Sequence, residues 1–247
     1  MKRQLFIATS ISAALAGCAP IGTALNDNAG VRKVLASVEG IDDAFIGSSG
    51  ALAREYRESD VAPVFRVNGF ATPSDANYRG LLASYYAKYR LVVDGAVERP
   101  YAFTLAQLRA LPQSTQITRH DCVEGWSVIG KWSGVRLGSV LDAVGPRSNA
   151  GCAIFHCMDR DDSGTPYYES LDLRQAYHPQ ALLATSLNDE PLDPDHGAPV
   201  RLRVPTQLGY KSAKWVNRIE VVENFAHIAG GNGGYWEDQG YEWYAGV

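Results

Sequence analysis

Apolar residues recur along most of this chain with the spacing of short strands. Alternating or continuous apolar runs predict strands at residues 115–121, 153–158, 181–187, 199–204 and 214–222. A hairpin is predicted over residues 90–97, with Asp94 and Gly95 at its turn. Short helices are predicted at residues 104–111 and 137–144. Because strands outnumber helices and the helices fall irregularly between them, the predicted class is α+β with mixed, largely antiparallel sheets.

The pattern before residue 61 is helical. Apolar residues recur there every three or four positions, at Val31, Val34, Leu35 and Val38. A second short helix is predicted around Leu52 and Tyr56. Pro63 ends this pattern. We therefore predict a helical extension over residues 19–60, followed by a main domain over residues 61–247.

The first eighteen residues have the composition of an export signal. Lys2 and Arg3 precede an apolar run over residues 5–15, which is shorter than the roughly 20 residues of a spanning helix. The run ends in Leu-Ala-Gly-Cys at residues 15–18, which resembles the lipobox of bacterial lipoproteins. The start of the chain also resembles a twin-arginine signal with lysine in the first place. We expect a periplasmic protein, exported folded and lipid-anchored at Cys18; cleavage that discards Cys18 is the alternative.

Length and composition are those of a globular protein. The chain has 247 residues, of which 46% are hydrophobic and 20% charged. Its formal net charge of -4 lacks the basic excess on which nucleic-acid binding depends, so no nucleic-acid partner is expected.

Three cysteines follow Cys18, and one of them stands where chemistry is expected. Cys122 ends a predicted strand just before a turn at Gly125, so its thiolate could ligate a metal or act as a nucleophile. A buried structural cysteine is the alternative. Cys152 and Cys157 lie five residues apart in a predicted strand, and so point to opposite faces and cannot pair without breaking it. No paired-cysteine spacing typical of a zinc site is present.

Three ordered motifs resemble a known family. They are Arg-His-Asp-Cys-Val-Glu-Gly-Trp at residues 119–126, Asp-His-Gly-Ala-Pro-Val-Arg at 195–201, and Gly-Tyr-Lys-Ser-Ala-Lys-Trp-Val at 209–216. Together they resemble the molybdopterin-binding domain of the sulfite oxidase family, whose bacterial branch includes periplasmic methionine-sulfoxide reductases. The resemblance runs from about residue 68 to residue 241. It implies a sulfite-oxidase-type fold with peripheral helices and a molybdenum–molybdopterin cofactor.

The resemblance also implies roles for individual residues. Cys122 matches the thiolate ligand of the molybdenum, a soft donor that suits this metal. Arg119 stands near that ligand, where it could tune the site, and Tyr241 matches a tyrosine near the metal. The positions that match cofactor contacts are Asn68, Cys157, His196, Arg201, Ser212, Ala213 and Lys214.

Purely structural roles are the alternatives for several of these residues. Asn68 could serve its own turn, Cys157 could be core, and Tyr241 could be packing in an aromatic tail. Arg201 and Lys214 could be solvated strand residues, whereas a buried phosphate would need their charge and the backbone N–H groups around Ser212 and Ala213.

One departure from the family pattern bears on the substrate. Sulfite oxidases carry an arginine directly before the asparagine matched by Asn68, whereas this chain has Val67 there and Arg66 one step away. One step along a strand reverses the side chain. We therefore predict two-electron oxygen-atom transfer on S-oxide or N-oxide groups, of small molecules or proteins. The alternatives are sulfite dehydrogenation, a non-catalytic binding module, and a cysteine hydrolase that uses Cys122 with His120 or His156.

The same comparison predicts the partners. Neither the dimerisation domain nor the haem domain of sulfite oxidases is recognisable in the chain, so we expect a monomer with a separate redox partner. That partner would be a haem-containing membrane subunit or a cytochrome c.

Overall fold

The computed structural model describes residues 51–247, which form two five-stranded sheets with short helices around them. The predicted signal peptide, its lipobox and the first predicted helix lie outside these residues. None of the helices described in residues 51–247 is long and apolar enough to cross a membrane.

The regular elements follow one another closely along the chain. The strands are β1 (Arg90–Gly95), β2 (Tyr101–Thr104), β3 (Gln113–Asp121), β4 (Ser127–Arg136), β5 (Cys152–Arg160), β6 (Pro166–Asp172), β7 (Leu182–Leu187), β8 (Glu190–Pro191), β9 (Arg201–Arg203) and β10 (Val216–Val222). The α-helices are α1 (Ala76–Ala83), α2 (Leu105–Ala110), α3 (Leu137–Val144), α4 (Leu173–Ala176) and α5 (Tyr235–Asp238). Single 3-10 turns occur at Glu58–Asp60, Pro194–His196 and Gly209–Lys211.

The first sheet has the strand order β2-β1-β10-β5-β6. Its β1 and β10 strands run parallel, with Val92 opposite Arg218, and its other pairs are antiparallel. One parallel pair among antiparallel ones makes this sheet mixed, and the predicted class is confirmed.

The second sheet has the order β3-β4-β7-β8, and β9 also pairs with β7. Strands β3 and β4 form a long hairpin in register from Gln113 opposite Val135 to Asp121 opposite Ser127. Strand β9 adds to β7 with Arg201 opposite Ala184. Cys122 therefore lies at the tip of the hairpin, in the connection between β3 and β4.

The hydrophobic core draws on both sheets and on α3. Four residues of α3 are fully buried at the spacing of one helical face: Leu137, Val140, Leu141 and Val144. They join one cluster with residues of both sheets, among them Leu91, Val93, Val135, Phe155, Leu183, Leu202 and Ile219. Each such aliphatic side chain contributes about 1.5–3 kcal/mol when removed from water, so this cluster holds the two sheets together.

Several predicted elements are confirmed and others are wrong. The β1–β2 hairpin exists, but Asp94 and Gly95 end β1 beside β10, and the connection follows them. Helix α2 begins at the predicted Thr104 cap, and α3 ends at Gly145 in the left-handed region. Strands β4 and β6 were not anticipated.

The predicted helix around Leu52 and Tyr56 is wrong. The backbone there is extended: Glu55 forms a bridge with Thr118, and the Tyr56 N–H donates to Ile117 O at 2.9 Å. Pairing with the open edge of β3 satisfies backbone groups that a short isolated helix would leave exposed.

Candidate functional site

A cleft opens where the tip of the β3–β4 hairpin meets the loops around residues 68, 210 and 240. The open space between its walls amounts to about 660 Å³, solvent at the mouth included. The lining residues come from distant parts of the chain: Asn68, Gly69, Phe70, Cys122, Val123, Glu124, Asp159, Tyr167, Arg201, Gly209, Tyr210, Ser212, Ala213, Lys214, Trp236 and Tyr241.

Cys122 is held at the start of the tight turn that closes the β3–β4 hairpin. Its N–H donates to Trp126 O at 2.9 Å, and its carbonyl accepts from the Gly125 N–H at 3.0 Å. Gly125 has a φ of 86°, which few other residues tolerate. The side chain is buried yet borders the cleft, so the thiol faces the cleft from a rigid backbone.

Lys214 fastens two other walls of the cleft to each other. Its Nζ donates to the backbone carbonyls of Asn68 at 2.7 Å, Phe70 at 2.9 Å and Asp195 at 3.1 Å. Burial and the nearby charge of Arg201 lower the pKa of Lys214 to about 7. The Asn68 amide lies 3.5 Å from His120 Nε2, so Asn68 is held at both its backbone and its side chain.

Arg201 and Arg203 are buried cations with no buried carboxylate beside them. They alternate in β9, both guanidinium groups lie over the Trp132 ring, and neither residue is more than 1% exposed. Burial lowers the pKa of Arg201 to about 10, and burial together with Arg201 lowers that of Arg203 to about 9. Within residues 51–247 no carboxylate lies within ion-pair distance of either, and the alternative of solvated strand residues is wrong.

Hydrogen-bond donors of this pair are left over as well. Arg201 Nη1 donates to His196 O at 3.4 Å, but its Nε has no partner among residues 51–247. Arg203 Nη2 donates to Thr118 Oγ1 and Arg119 O, whereas its Nε and Nη1 have none. Uncompensated buried charge is costly unless something of opposite sign comes close. Arg201 lines the cleft and Arg203 does not, so the unpaired Arg201 Nε is the donor that fits a buried anionic group such as the phosphate end of a pterin cofactor.

The loop over residues 209–214 forms the wall beside these cations. The Gly209 backbone passes so close to His120 that an added Cβ would lie 2.5 Å from its Nε2, which requires glycine there. Ser212 and Ala213 line the cleft as the motif predicts. Ser212 Oγ accepts from the Val204 N–H at 3.2 Å, and the Ser212 N–H already donates to Gly209 O.

Three predicted site residues do not line the cleft. Arg119 is exposed on β3, where alternation turns its side chain away from the buried side of His120. Its guanidinium pairs with Asp121 at 2.8 Å. Both His196 nitrogens are engaged, Nδ1 by Asp193 and Nε2 by Phe65 O at 3.1 Å. Cys157 packs in the core, where burial raises its thiol pKa well above the usual range.

Two of these three residues still act on the cleft through their backbone. Arg119 O accepts from Arg203, and His196 O accepts from Arg201. Neither histidine of the hydrolase hypothesis is hydrogen-bonded to Cys122: His120 faces Asn68, and His156 pairs with Glu220 at 2.9 Å on the other sheet. Burial, then the charges of Arg201 and Arg203, lowers the pKa of His120 well below its usual range.

Sequence reasoning missed several lining residues. Asp159 is 3% exposed, and one of its carboxylate oxygens has no hydrogen-bond partner in the described part of the chain. Burial raises its pKa to about 7, although Lys214 acts in the opposite direction. Alternation along the predicted strand could have pointed to Asp159, because it lies two residues after Cys157 and so on the same face. Arg203, buried beside Arg201 although not in the lining of the cleft, could have been found by the same alternation in β9. Tyr167, whose hydroxyl donates to Tyr210 O at 2.7 Å, gave no such signal.

An aromatic wall closes the remaining side. The Tyr241 ring stacks on Trp236 with centroids 5.2 Å apart and meets Tyr210 edge-on at 5.4 Å. Phe70 lies 6.2 Å from Trp236. Tyr241 is 39% exposed, so it stands at the mouth of the cleft with one side in solvent.

Fold and site together define a protein that holds a buried anionic cofactor beside a cysteine. Residues 80–227 match the family described as "Oxidoreductase molybdopterin binding domain". The chain belongs to this family and is a molybdopterin-dependent oxidoreductase of the sulfite oxidase type.

Individual relatives agree with this assignment. A protein of Azospira oryzae with the provisional name protein-methionine-sulfoxide reductase subunit YedZ1 is 39% identical over 228 residues, which cover 91% of this chain and 80% of that protein. The protein-methionine-sulfoxide reductase catalytic subunit MsrP of Xanthomonas campestris is 37% identical over 147 residues, 56% of this chain and 46% of MsrP. This chain therefore aligns with less than half the length of MsrP.

A solved structure supports the fold. The sulfane dehydrogenase SoxCD of Paracoccus pantotrophus superposes with a TM-score of 0.50 at 25% identity, over 56% of this chain and 39% of that one. The sulfite-oxidase-type α+β fold predicted from the motifs is confirmed.

The buried cations yield a prediction that separates cofactor binding from stability. Arg201→Met should lower molybdopterin occupancy about 10-fold or more, the equivalent of one charge-assisted hydrogen bond. The same change should leave the unfolding free energy of cofactor-free protein unchanged or higher, because an uncompensated buried charge is gone. Pterin and metal content and urea unfolding measure the two effects. Arg147→Met, which removes an exposed ion pair with Glu98, is the control. Full cofactor occupancy together with a lower unfolding free energy in Arg201→Met would contradict the role of Arg201 in cofactor binding.

Proposed function

We propose that the protein catalyses two-electron oxygen-atom transfer and reduces S-oxide groups, with N-oxides as related substrates. One observation carries the proposal: the cleft puts the Cys122 thiol on one wall, buried cations on another and an aromatic surface at the mouth. A thiolate ligand, an anion site and an apolar substrate entrance are the three elements that such a reaction needs.

Each wall has a separate task in this mechanism. When bound, the molybdenum centre of the cofactor supplies the two-electron chemistry. Cys122 would give the metal its protein thiolate, while Arg201 and Lys214 would balance the phosphate charge. Asn68 and the loop that carries Ser212 and Ala213 would border the cofactor. Tyr241, half in solvent, would orient the substrate oxygen through its hydroxyl.

The surroundings of Asn68 favour a neutral substrate over an oxyanion. Val67 is 48% exposed and carries no charge, and the charge of the neighbouring Arg66 faces Glu124, a carboxylate that lines the cleft. Its guanidinium lies over the Trp126 ring at 4.8 Å and 3.9 Å from the Glu124 carboxylate. Sulfur next to aromatic rings is favourable, so the Trp236 and Tyr241 rings suit a thioether or sulfoxide side chain. The names of the relatives support the same substrate class.

Electrons come from a separate redox protein. The relatives belong to systems named with more than one subunit, which supports such a partner. We propose a haem-containing membrane subunit or a cytochrome c, docking on a monomer of this chain. A protein-bound methionine sulfoxide would approach from the open side of Tyr241.

The first test is a substrate screen. With a reduced dye as electron donor, S-oxides should be turned over faster than N-oxides, and sulfite oxidation should be slower than either, because Val67 supplies no charge beside Asn68. Steady-state kcat/KM values rank the substrates. Sulfite turnover well above that of every sulfoxide would make the sulfite dehydrogenase alternative correct, and cofactor-loaded protein without turnover of any substrate would favour a non-catalytic binding module.

The second test concerns the thiol. Cys122→Ser should lower kcat by more than ~100-fold, the upper end of the cost of losing a group that merely supports a metal ligand. Pterin content should persist, because Arg201 and Lys214 lie on other walls of the cleft. Cys152→Ser replaces another buried cysteine outside the cleft and should keep most activity. Unchanged kcat in Cys122→Ser would remove Cys122 from the mechanism.

The third test concerns export. Walls drawn from residues 68, 122, 201 and 241 exist only in the folded chain, so a cofactor inserted before export requires passage of a folded protein. The Lys2-Arg3 signal and the lipobox at Cys18 support twin-arginine export and a lipid anchor. Cells that lack the twin-arginine translocase should accumulate the loaded protein in the cytoplasm. Normal amounts of loaded protein in the periplasm of these cells would contradict the export route. A mature protein that begins at a residue other than Cys18 would contradict the lipid anchor.

A further inference from the structure

A second buried lysine lies behind the cleft, and this one is fully paired. Lys211 has no exposed surface, and its Nζ donates to Glu169 Oε1 at 2.5 Å and to Glu237 Oε1 at 2.6 Å. Both carboxylates are themselves buried. The three residues form a buried ionic triad, which we call the Lys211 triad.

Within the triad the ammonium attracts both carboxylates, and the two carboxylates repel each other. Burial lowers the pKa of Lys211, but the two carboxylates outweigh this and raise it above its usual range. Burial raises the pKa of Glu169 well above its usual range. The backbone also makes room for the triad, because an added Cβ on Gly234 would lie 2.0 Å from Glu237 Oε2. The two carboxylates therefore pack directly against the backbone at Gly234.

The triad joins two walls of the cleft that the sequence keeps apart. Lys211 stands between Tyr210 and Ser212, which both line the cleft. Glu237 follows Trp236 in α5, and the Tyr241 N–H donates to Trp236 O at 3.0 Å. The ion pair to Glu237 is therefore a direct link between the loop beside the buried cations and the segment that carries the aromatic wall.

Glu169 anchors this link to the first sheet. It lies in β6, next to Ser170, whose hydroxyl donates to Gly233 O and accepts from Trp243 Nε1 at 2.8 Å. The Lys211 ammonium also lies 5.5 Å from the centre of the Trp243 ring. Segments on both sides of Tyr241 are thus fastened to the same strand.

We propose that Lys211 is a positioning residue that, through Glu169 and Glu237, holds Trp236 and Tyr241 at the mouth of the cleft in register with the loop over residues 209–214. The inference rests on the proposed function in taking Tyr241 as the group that meets substrate. Without the ammonium, two buried carboxylates would face each other, and α5 would have to move away from β6 to hydrate them.

The experiment compares two lysines that each bridge two carboxylates, Lys211 in the interior and Lys131 at the surface. Lys211→Met removes the triad cation, and Lys131→Met removes a lysine that also bridges two carboxylates, Glu58 and Asp189, but on the other sheet. Hydrogen exchange is measured on the peptide covering residues 235–245 of the loaded enzyme. Lys211→Met should exchange at least tenfold faster there than wild type, and Lys131→Met should match wild type. Lys211→Arg, which keeps the charge, should restore at least part of the protection.

A double-mutant cycle tests whether the effect reaches the reaction. Lys211→Met should lower kcat/KM about tenfold or more, and should add little in a Tyr241→Phe background, because both changes remove the same positioned hydroxyl. Additive effects, or exchange equal to that of Lys131→Met, would overturn the proposal. If Lys211→Met does not fold, Glu237→Gln takes its place and is judged by the same criteria. If Tyr241→Phe alone keeps full activity, the proposed role of Tyr241 fails, and the exchange result alone decides the role of Lys211.

Discussion

Buried positive charge without a matching carboxylate is the constraint around which this structure is organised. Arg201 and Arg203 lie inside the protein on one face of β9, and Lys214 lies almost as deep on the next loop. Burying such groups is unfavourable unless an anion accompanies them. The Trp132 ring lies against both guanidinium groups, and backbone carbonyls accept the Lys214 hydrogen bonds. Arg201, which borders the cleft, keeps an unpaired donor for a bound phosphate.

The contrast with Lys211 shows how the same residue type serves two purposes. Lys211 is as buried as Arg201, but two carboxylates satisfy it, so it contributes to the folded state by itself. Lys214 makes its hydrogen bonds to backbone carbonyls, and the charges of Asp159, Asp195 and Asp193 act on it without an ion pair. Internal ion pairing thus distinguishes Lys211 from the cations that border the cleft without a carboxylate in ion-pair distance. The two kinds stand within a few residues of each other in one loop.

Backbone groups carry part of the site where side chains do not. Arg119 and His196 were expected to act through their side chains, yet Asp121, Asp193 and Phe65 occupy those side chains. Their carbonyl oxygens instead hold the guanidinium groups of Arg203 and Arg201. A motif residue can therefore matter through a carbonyl that any residue would provide, in the place where its own side chain is turned away.

Local patterns in the sequence determined most of the strands, helices α2 and α3 and the turn that presents Cys122, although not β4, β6 or α1, because hydrogen bonds and alternation act between near neighbours. Motif resemblance also pointed to Cys122, Asn68, Arg201, Ser212, Ala213 and Lys214, all of which border the cleft. Only the tertiary structure decided that Cys157 faces the core, that residues 51–57 are extended along β3, and that Asp159, Arg203 and the Lys211 triad belong to the site or its support. Those outcomes depend on which distant segments meet, and a side chain's partner across 40 or more residues leaves no periodic trace in the chain itself.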